Sequence, residues 1–285
     1  MADKGFPIIT LTTDFGLLEH YVGTMKGAIL SVNPQATIVD ITHDVQPQHV
    51  EQASFALHSA WPFFPRGSVH VVVVDPGVGG ERLPLALSTP AGFFVGPDNG
   101  SLSSALPDAV RPRGQRSIAR PVTLPAGYVC VSISNPDYIR TPPSPTFQGR
   151  DVFGPAAAHL TKGVAIDEFG EPVSSILALP PLRASKKADG SLAGRVVHVD
   201  RFGNLITNIQ ARDIVGSDVT VEIEGITLHG LATTYGDGDN LVSLIGSSGY
   251  LEIALPLGSA ARFLDAGAET PVTVRPVVVP LKRPQ

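Results

Sequence analysis

The stretch Ser68-Val-His-Val-Val-Val-Val-Asp-Pro-Gly-Val-Gly-Gly-Glu-Arg82 constrains the fold more than any other part of the chain. Its β-branched run is long enough for a fully buried strand. The run breaks at Asp75-Pro76-Gly77, where Pro76 has no N–H for a ladder and Gly77 permits positive φ. A carboxylate is thereby delivered to the end of a core strand, with a loop and Arg82 just beyond it. In open α/β sheets ligands bind outside the carboxyl ends of the strands. The plainer reading stands beside this one: a strand and a turn, with Asp75 as the turn former.

The neighbouring segments supply the rest of a sheet. Pro7 to Asp14 reads as a strand, Glu19 to Asn33 as a helix stopped by Pro34, Ala36 to Ile41 as a strand, and Val50 to Trp61 as a helix before Pro62. This β-α-β-α-β rhythm predicts a parallel sheet with right-handed crossovers. Leu83 to Ser88 and Gly92 to Val95 read as strands joined by a turn, and Leu102 to Leu106 as a short helix. Residues 107–126 lack periodicity and read as irregular, Gly127 to Ile133 as a strand, and Val152 to Gly163 as a helix. Residues 179–190, with Pro, charges and Gly, read as a linker. Beyond it come short strand candidates at Gly194–Val199, Leu205–Ile209, Val219–Ile223, Tyr250–Ala254 and Pro271–Val279, with no helix of normal length. The expected organisation is an α/β domain over 1–180, a three-layer α/β/α arrangement with a mostly parallel sheet, then a small β-barrel-like domain over 192–285.

A length of 285 residues exceeds one ordinary core, which agrees with two domains. A formal charge of −5 without any Lys/Arg block argues against nucleic-acid or anionic-membrane partners. Cys130 is the only cysteine, so no disulfide forms within the chain and a reducing compartment is the default. The amino terminus runs straight into a strand pattern, and no apolar run approaches membrane-spanning length. A soluble, cytoplasmic protein is the expectation.

Three motif matches are decoys. Asp14-Phe15-Gly16 spells a kinase tripeptide without the loop and lysine that should accompany it. Gly77-Val-Gly-Gly80 lacks the Gly-Lys-Ser/Thr ending of a phosphate loop. The eight histidines include no His-Glu-x-x-His, although His43 and His49 around Asp44 leave a metal pair open beside a solvated loop. What survives is a set of polar residues at strand ends: Asp14, Asp75 with Arg82, Arg150-Asp151, and Asp200-Arg-Phe-Gly-Asn204. An ionised Asp14 can accept from both hydroxyls of a ribose diol. Asn204 can read a base edge, and Phe202 or Tyr235 can stack on a ring. Each alone is more often a cap or a turn, so the residues by themselves reach only a two-domain α/β enzyme with an acidic site.

Taken together, the segments resemble the S-adenosylmethionine hydroxide adenosyltransferase family, relatives of fluorinase and chlorinase. The resemblance rests on Thr12-Thr-Asp-Phe-Gly16, Tyr21-Val-Gly-Thr-Met-Lys-Gly27, Val74-Asp-Pro-Gly-Val-Gly79 with Glu81-Arg82, and Gly96-Pro-Asp-Asn-Gly100. Pro145-Thr-Phe-Gln-Gly-Arg-Asp151, Phe202-Gly-Asn-Leu-Ile-Thr-Asn208 and Gly249-Tyr-Leu-Glu-Ile-Ala254 continue it in family order. It implies a homotrimer with sites at subunit interfaces, and attack of water or hydroxide on the ribose 5′ carbon of S-adenosyl-L-methionine to give adenosine and L-methionine. No cofactor and no metal is implied. By correspondence, Asp14 would hold the ribose hydroxyls, Asp200 the methionine ammonium, Asn204 the adenine edge, Phe202 and Tyr235 the adenine faces, and Ser247 the methionine carboxylate. Asp75 and Arg82 would handle the water.

Two residues depart from the family pattern. Gln148 stands where the hydrolases typically carry a His that completes an Asp-Arg-His set, and Gln cannot take up a proton at neutral pH. If that His is a general base, its loss costs about 10²–10⁴ in rate; if it only orients water, Gln148 suffices. Glu19 stands where relatives carry Asp, still able to pair with an ammonium. The alternative function is a non-catalytic or very slow S-adenosylmethionine- or adenosine-binding protein. Halide use is disfavoured, because Asp75 replaces an aromatic and would repel an anion at close range.

Overall fold

The computed structural model describes residues 7–114, 118–216, 218–238 and 240–277. The chain divides into two compact units, residues 1–181 and 182–285.

In the first unit the strands are β1 (Ile8–Thr13), β2 (Thr37–Thr42), β3 (Val69–Val73), β4 (Pro84–Ser88), β5 (Phe93–Pro97), β6 (Arg120–Thr123), β7 (Val129–Ser132) and β8 (Ser175–Ala178). The helices are α1 (Tyr21–Val32), α2 (Val50–Ala60) and α3 (Gly154–Thr161). The main sheet has the order β2-β1-β3-β5-β4-β7, parallel from β2 to β5 and antiparallel through β4 and β7. Four residues join β4 to β5, too few for a crossover, so that pair can only be a hairpin.

Alternation along the strands builds two cores. Ile9, Leu11, Val69, Val71 and Val73 face α1 and α3, while Val72, Val74, Leu85 and Leu87 face α2. Three layers result. A proline closes α1 at its carboxyl end: Asn33 turns extended before Pro34. At the start of α2, His49 Nδ1 accepts from the Gln52 N–H at 3.1 Å.

Two expectations fail here. Residues 107–126 are not wholly irregular, because β6 lies within them and pairs with β8, a strand with no signal strong enough to read. The helix expected from Val152 starts instead as a π-helical turn, Gly149–Phe153, closed by the Gly154 N–H on the Gly149 carbonyl, and becomes α3 only at Gly154. The segment read as a linker is pinned at its start, where the Arg111 guanidinium donates to the Leu179 and Pro180 carbonyls at 2.9 and 2.8 Å.

The second unit holds β9 (Ser185–Lys186), β10 (Leu192–Val199), β11 (Leu205–Gln210), β12 (Val219–Ile223), β13 (Ile226–His229), β14 (Val242–Ile245), β15 (Tyr250–Ala254) and β16 (Pro271–Pro276), with one short helix, α4 (Ala260–Leu264). The order is β13-β12-β16-β10-β11-β15-β14, with β9 beside β10, antiparallel throughout. The ends of that order meet. Ser243 Oγ donates to the Gly230 carbonyl and the Ala232 N–H to the Ser243 carbonyl, both at 2.8 Å. The sheet is therefore barrel-like, around Val196, Leu205, Val221, Leu251 and Ile253. Of the strand expected over Pro271–Val279, the part from residue 278 lies outside the described residues. Among the described residues no helix is long and apolar enough to cross a membrane.

Candidate active site

The connection after β1 leads to β2 on one side, and the chain then returns to β3 on the other, so the strand order reverses between β1 and β3. Ligands of open α/β sheets sit at such a reversal. Thr13 and Val73 are register partners there, which puts Asp14 and Asp75 just beyond the ends of adjacent strands.

Asp75 is held by a dense set of donors. Its Oδ1 accepts from the Gly77 N–H at 3.2 Å and from Arg82 Nε at 3.1 Å; its Oδ2 accepts from Arg82 Nε at 2.9 Å and from Arg82 Nη2. The same Nη2 donates to Gln148 Oε1 at 2.6 Å. Carboxylate, guanidinium and amide thus form one chain, with Asp75 and Arg82 side chains only 5% and 11% exposed. The Phe153 ring lies under the guanidinium, 5.6 Å from centroid to Cζ.

Three local features deliver Gln148 to this chain. The π-helical turn begins on the residue after it, and such turns recur at functional sites. Gly149 packs against the Phe15 ring so closely that a Cβ would lie 3.1 Å from it. Asp151, buried, accepts from Arg150 Nε and Nη2 at 2.6 and 2.7 Å and from the Ser144 N–H at 2.8 Å. Burial pushes the Asp151 carboxyl up, but Arg150, the Ser144 N–H and Arg140 together hold it below the ordinary range. The loop after β3 is tied to the same region by Gly79, at φ +77 with the Pro145 carbonyl where a Cβ would go.

Asp14 Oδ2 accepts from the Gln48 N–H at 2.8 Å, and no hydrogen bond engages its Oδ1 among the described residues. Glu19 is exposed on the loop before α1. The possible metal pair dissolves: His43 is buried between Thr13 Oγ1 (2.8 Å) and Asp40 Oδ1 (3.0 Å), while His49 serves as the cap of α2. No group of three His, Cys, Asp or Glu able to hold a metal occurs among the described residues.

In the second unit the β10–β11 turn gathers three of the candidates. Asp200 Oδ1 accepts from the Phe202 and Asn204 N–H groups at 2.9 and 2.8 Å, and Oδ2 from Asn204 Nδ2 at 2.9 Å. Gly203, at φ +85, has Ser259 Oγ where a side chain would start, so α4 closes down on this turn. Phe202 stands 76% exposed and the nearly buried Asn204 keeps its Oδ1 and one amide proton. Ser247 is exposed in the β14–β15 turn.

Tyr235 is joined to a residue that the sequence reading did not assign. Its hydroxyl donates to Glu252 Oε2 at 2.8 Å, on the face of β15 opposite Leu251 and Ile253 of the barrel core. Burial pushes the Glu252 carboxyl up, Tyr235 lowers it in part, and Asp200 adds to the rise. The phenol is pushed up to about 12 by burial, then by Glu252 and Asp200. A carboxylate in the middle of Tyr250–Ala254, all five residues buried, was the available signal.

The fold and these polar groups define a two-unit protein: an α/β unit with paired strand-end carboxylates and an anchored amide, and a barrel-like unit with an Asp–Asn turn. Such a chain belongs to the S-adenosylmethionine hydroxide adenosyltransferase family, whose N-terminal domain matches residues 9–170 and whose C-terminal domain matches residues 194–273. It is 33% identical over 280 residues to a (R)-S-adenosyl-L-methionine hydrolase of Methanocaldococcus jannaschii, spanning 93% of this chain and 94% of that one. Identity to the protein of the same name from Thermus thermophilus is 35% over 264 residues, 91% and 96% of the two chains. A fluorinase of an Actinoplanes species is 27% identical over 312 residues, 96% and 99%. A conserved protein of Thermotoga maritima of solved structure superposes with a TM-score of 0.81 at 34% identity, over 94% of this chain and 99% of that one.

Proposed function

We propose that this protein hydrolyses S-adenosyl-L-methionine to adenosine and L-methionine by in-line attack on the ribose 5′ carbon. The observation that carries the reading is the Asp75–Arg82–Gln148 chain at the point where the strand order reverses. The names borne by the relatives at 33% and 35% identity support it. A sulfonium leaves as neutral methionine, so the reading needs no general acid and no cofactor; the protein's task is to place one oxygen in line and exclude other solvent.

In this reading Asp75, Arg82 and Gln148 handle the attacking oxygen. Asp14 takes the ribose hydroxyls, with its unengaged Oδ1 in support. Asp200 and Glu19 take the methionine ammonium, Ser247 its carboxylate, Asn204 the adenine edge, and Phe202 and Tyr235 the ring faces. The protein works in the cytoplasm as a homotrimer with sites between subunits. The carboxylate at position 75 supports water over halide as the nucleophile.

A binding protein without turnover is the second reading, and Gln148 favours it, since an amide accepts no proton. Incubating the protein and its Gln148→His variant with S-adenosylmethionine and separating the products decides between them. Adenosine and methionine from both are expected. Adenosine from the variant alone establishes the binding protein, and adenosine from neither removes the hydrolase.

A further inference from the structure

Glu252 lies in the middle of β15 and is only 5% exposed, yet half of its carboxyl is unsatisfied. Oε2 accepts from the Tyr235 hydroxyl at 2.8 Å, while among the described residues no hydrogen bond and no ion pair engages Oε1. Buried polar groups are almost always hydrogen-bonded, so a free oxygen on a buried acid marks a place for a donor. The place is built into the fold. A Cβ on Gly246 would overlap Oε1, so only glycine at that position of the β14–β15 turn leaves room for the carboxylate.

Strand alternation says what shares that face. Leu205 and Ile253 are register partners in the barrel core, so their neighbours Asn204 and Glu252 both point to the opposite side. Glu252 is paired with Ile206, which makes Asn204 its diagonal neighbour, within reach of a long side chain. Asp200 is close enough for its charge to push the Glu252 carboxyl and the Tyr235 phenol up. One face thus carries an aromatic ring left 45% exposed, an amide with a free Oδ1 and a free N–H, and a carboxylate oxygen that only accepts.

We infer that Glu252 Oε1 accepts from the 6-amino group of the adenine and thereby selects a 6-aminopurine over a 6-oxopurine. The inference rests on the adenosyl reading above, in which Tyr235 meets a ring face and Asn204 an edge. The 6-amino group carries the only N–H donors on the base of an adenosyl group, and an ionised carboxylate is an acceptor at both oxygens. A 6-oxo group would set oxygen against oxygen and leave both acceptors unpaired out of water. Tyr235 then has two uses: its ring meets the base, and its hydroxyl fills Oε2 so that the oxygen left over is Oε1.

Calorimetry of adenosine and inosine binding at about pH 8, well above the ordinary Glu range, tests this on the natural chain and on the Glu252→Gln and Tyr235→Phe variants. The natural chain should bind adenosine about 10²-fold more tightly than inosine. Glu252→Gln, isosteric and able to donate as well as accept, should bring that ratio to about tenfold or below. Tyr235→Phe keeps the acceptor, so it should weaken both nucleosides alike and hold the ratio within about threefold. A ratio that Glu252→Gln leaves unchanged overturns the inference. Equal losses for the two nucleosides would reduce Glu252 to a support of the Tyr235 ring, and no loss for either would assign its oxygen to the methionine ammonium. A natural chain that binds the two alike overturns it as well. In each case the hydrolase reading stands, because release of adenosine from S-adenosylmethionine is measured separately; a chain that binds neither nucleoside and releases no adenosine removes the adenosyl reading itself.

Discussion

Asp75 and Arg82 form a nearly enclosed ion pair, and the worth of such a pair lies mostly in not being broken. Truncation in Asp75→Ala leaves the guanidinium without its counter-ion and costs about 3–5 kcal/mol, while turnover is abolished. The Asp75→Ala/Arg82→Ala double variant recovers part of that stability and none of the activity, because the charge left stranded has gone with it. Urea titrations of the natural chain and these two variants check the first statement and product chromatography the second. Glu252 gives a prediction of opposite kind. Its carboxyl is raised in the folded protein, so its contribution is full below the ordinary Glu range and is lost as pH climbs through the folded value. Glu252→Gln has no such loss, so its Tm relative to the natural chain should increase from about pH 4 to about pH 7; a constant difference would contradict the assignment. Asp75 and Arg82 were legible because a strand-ending carboxylate is visible in a sequence. Glu252 was not assigned, because its partner Tyr235 is 17 residues away and only the barrel brings them together.

At the scale of elements, the turn that carries Gln148 is held from behind by Asp151. Asp151→Asn removes the ion pairs to Arg150 and Arg140 and loosens the π-helical turn that carries Gln148, which keeps its packing on Phe15 and its main-chain bonds. The expected result is a loss of about tenfold or more in kcat with little change in KM, since the amide acts on the reacting oxygen and not on the adenosyl group. A variant that raises KM alone would show the turn belongs to substrate binding. Because the folded Asp151 carboxyl is depressed, its stabilisation is present above the ordinary Asp range and fades as pH falls through the folded value. Strong periodicity made α1, α2 and the buried β3 readable. The pair β6–β8 and the strands β13 and β14 were missed for physical reasons: each is a short run of four residues with mixed exposure, and β6 and β8 are stabilised by partners far along the chain, whereas β13 and β14 are edge members of the barrel order beside β12 and β15. A π-helical start is equally silent in sequence, since the spacing of Val152, Phe153 and Ala156 reads as ordinary helix.

For the whole molecule, the two units have separate cores, and one tryptophan distinguishes them. Trp61 follows α2 and packs edge-on against Phe94 at 5.6 Å, within the first unit. Its fluorescence therefore reports melting of the α/β unit; since Tyr21, Tyr128 and Tyr138 also lie in that unit, the barrel-like unit is followed by the thermal loss of amide-exchange protection in β10 and β11. In the proposed homotrimer the contacts come from two subunits: Asp14 and the Asp75 chain from the α/β unit of one, Asp200, Asn204 and Tyr235 from the barrel-like unit of its neighbour. A ligand held by both must stabilise both, by about 2.7 kcal/mol when present at 100 times its Kd. S-adenosylmethionine should thus raise the fluorescence midpoint and the barrel midpoint together in the natural chain. Asn204→Ala, which weakens the adenine contact, should need about tenfold more ligand for the same shift in either midpoint. Movement of the Trp61 midpoint alone would place the whole site on the α/β unit and remove Asp200, Asn204 and Tyr235 from it.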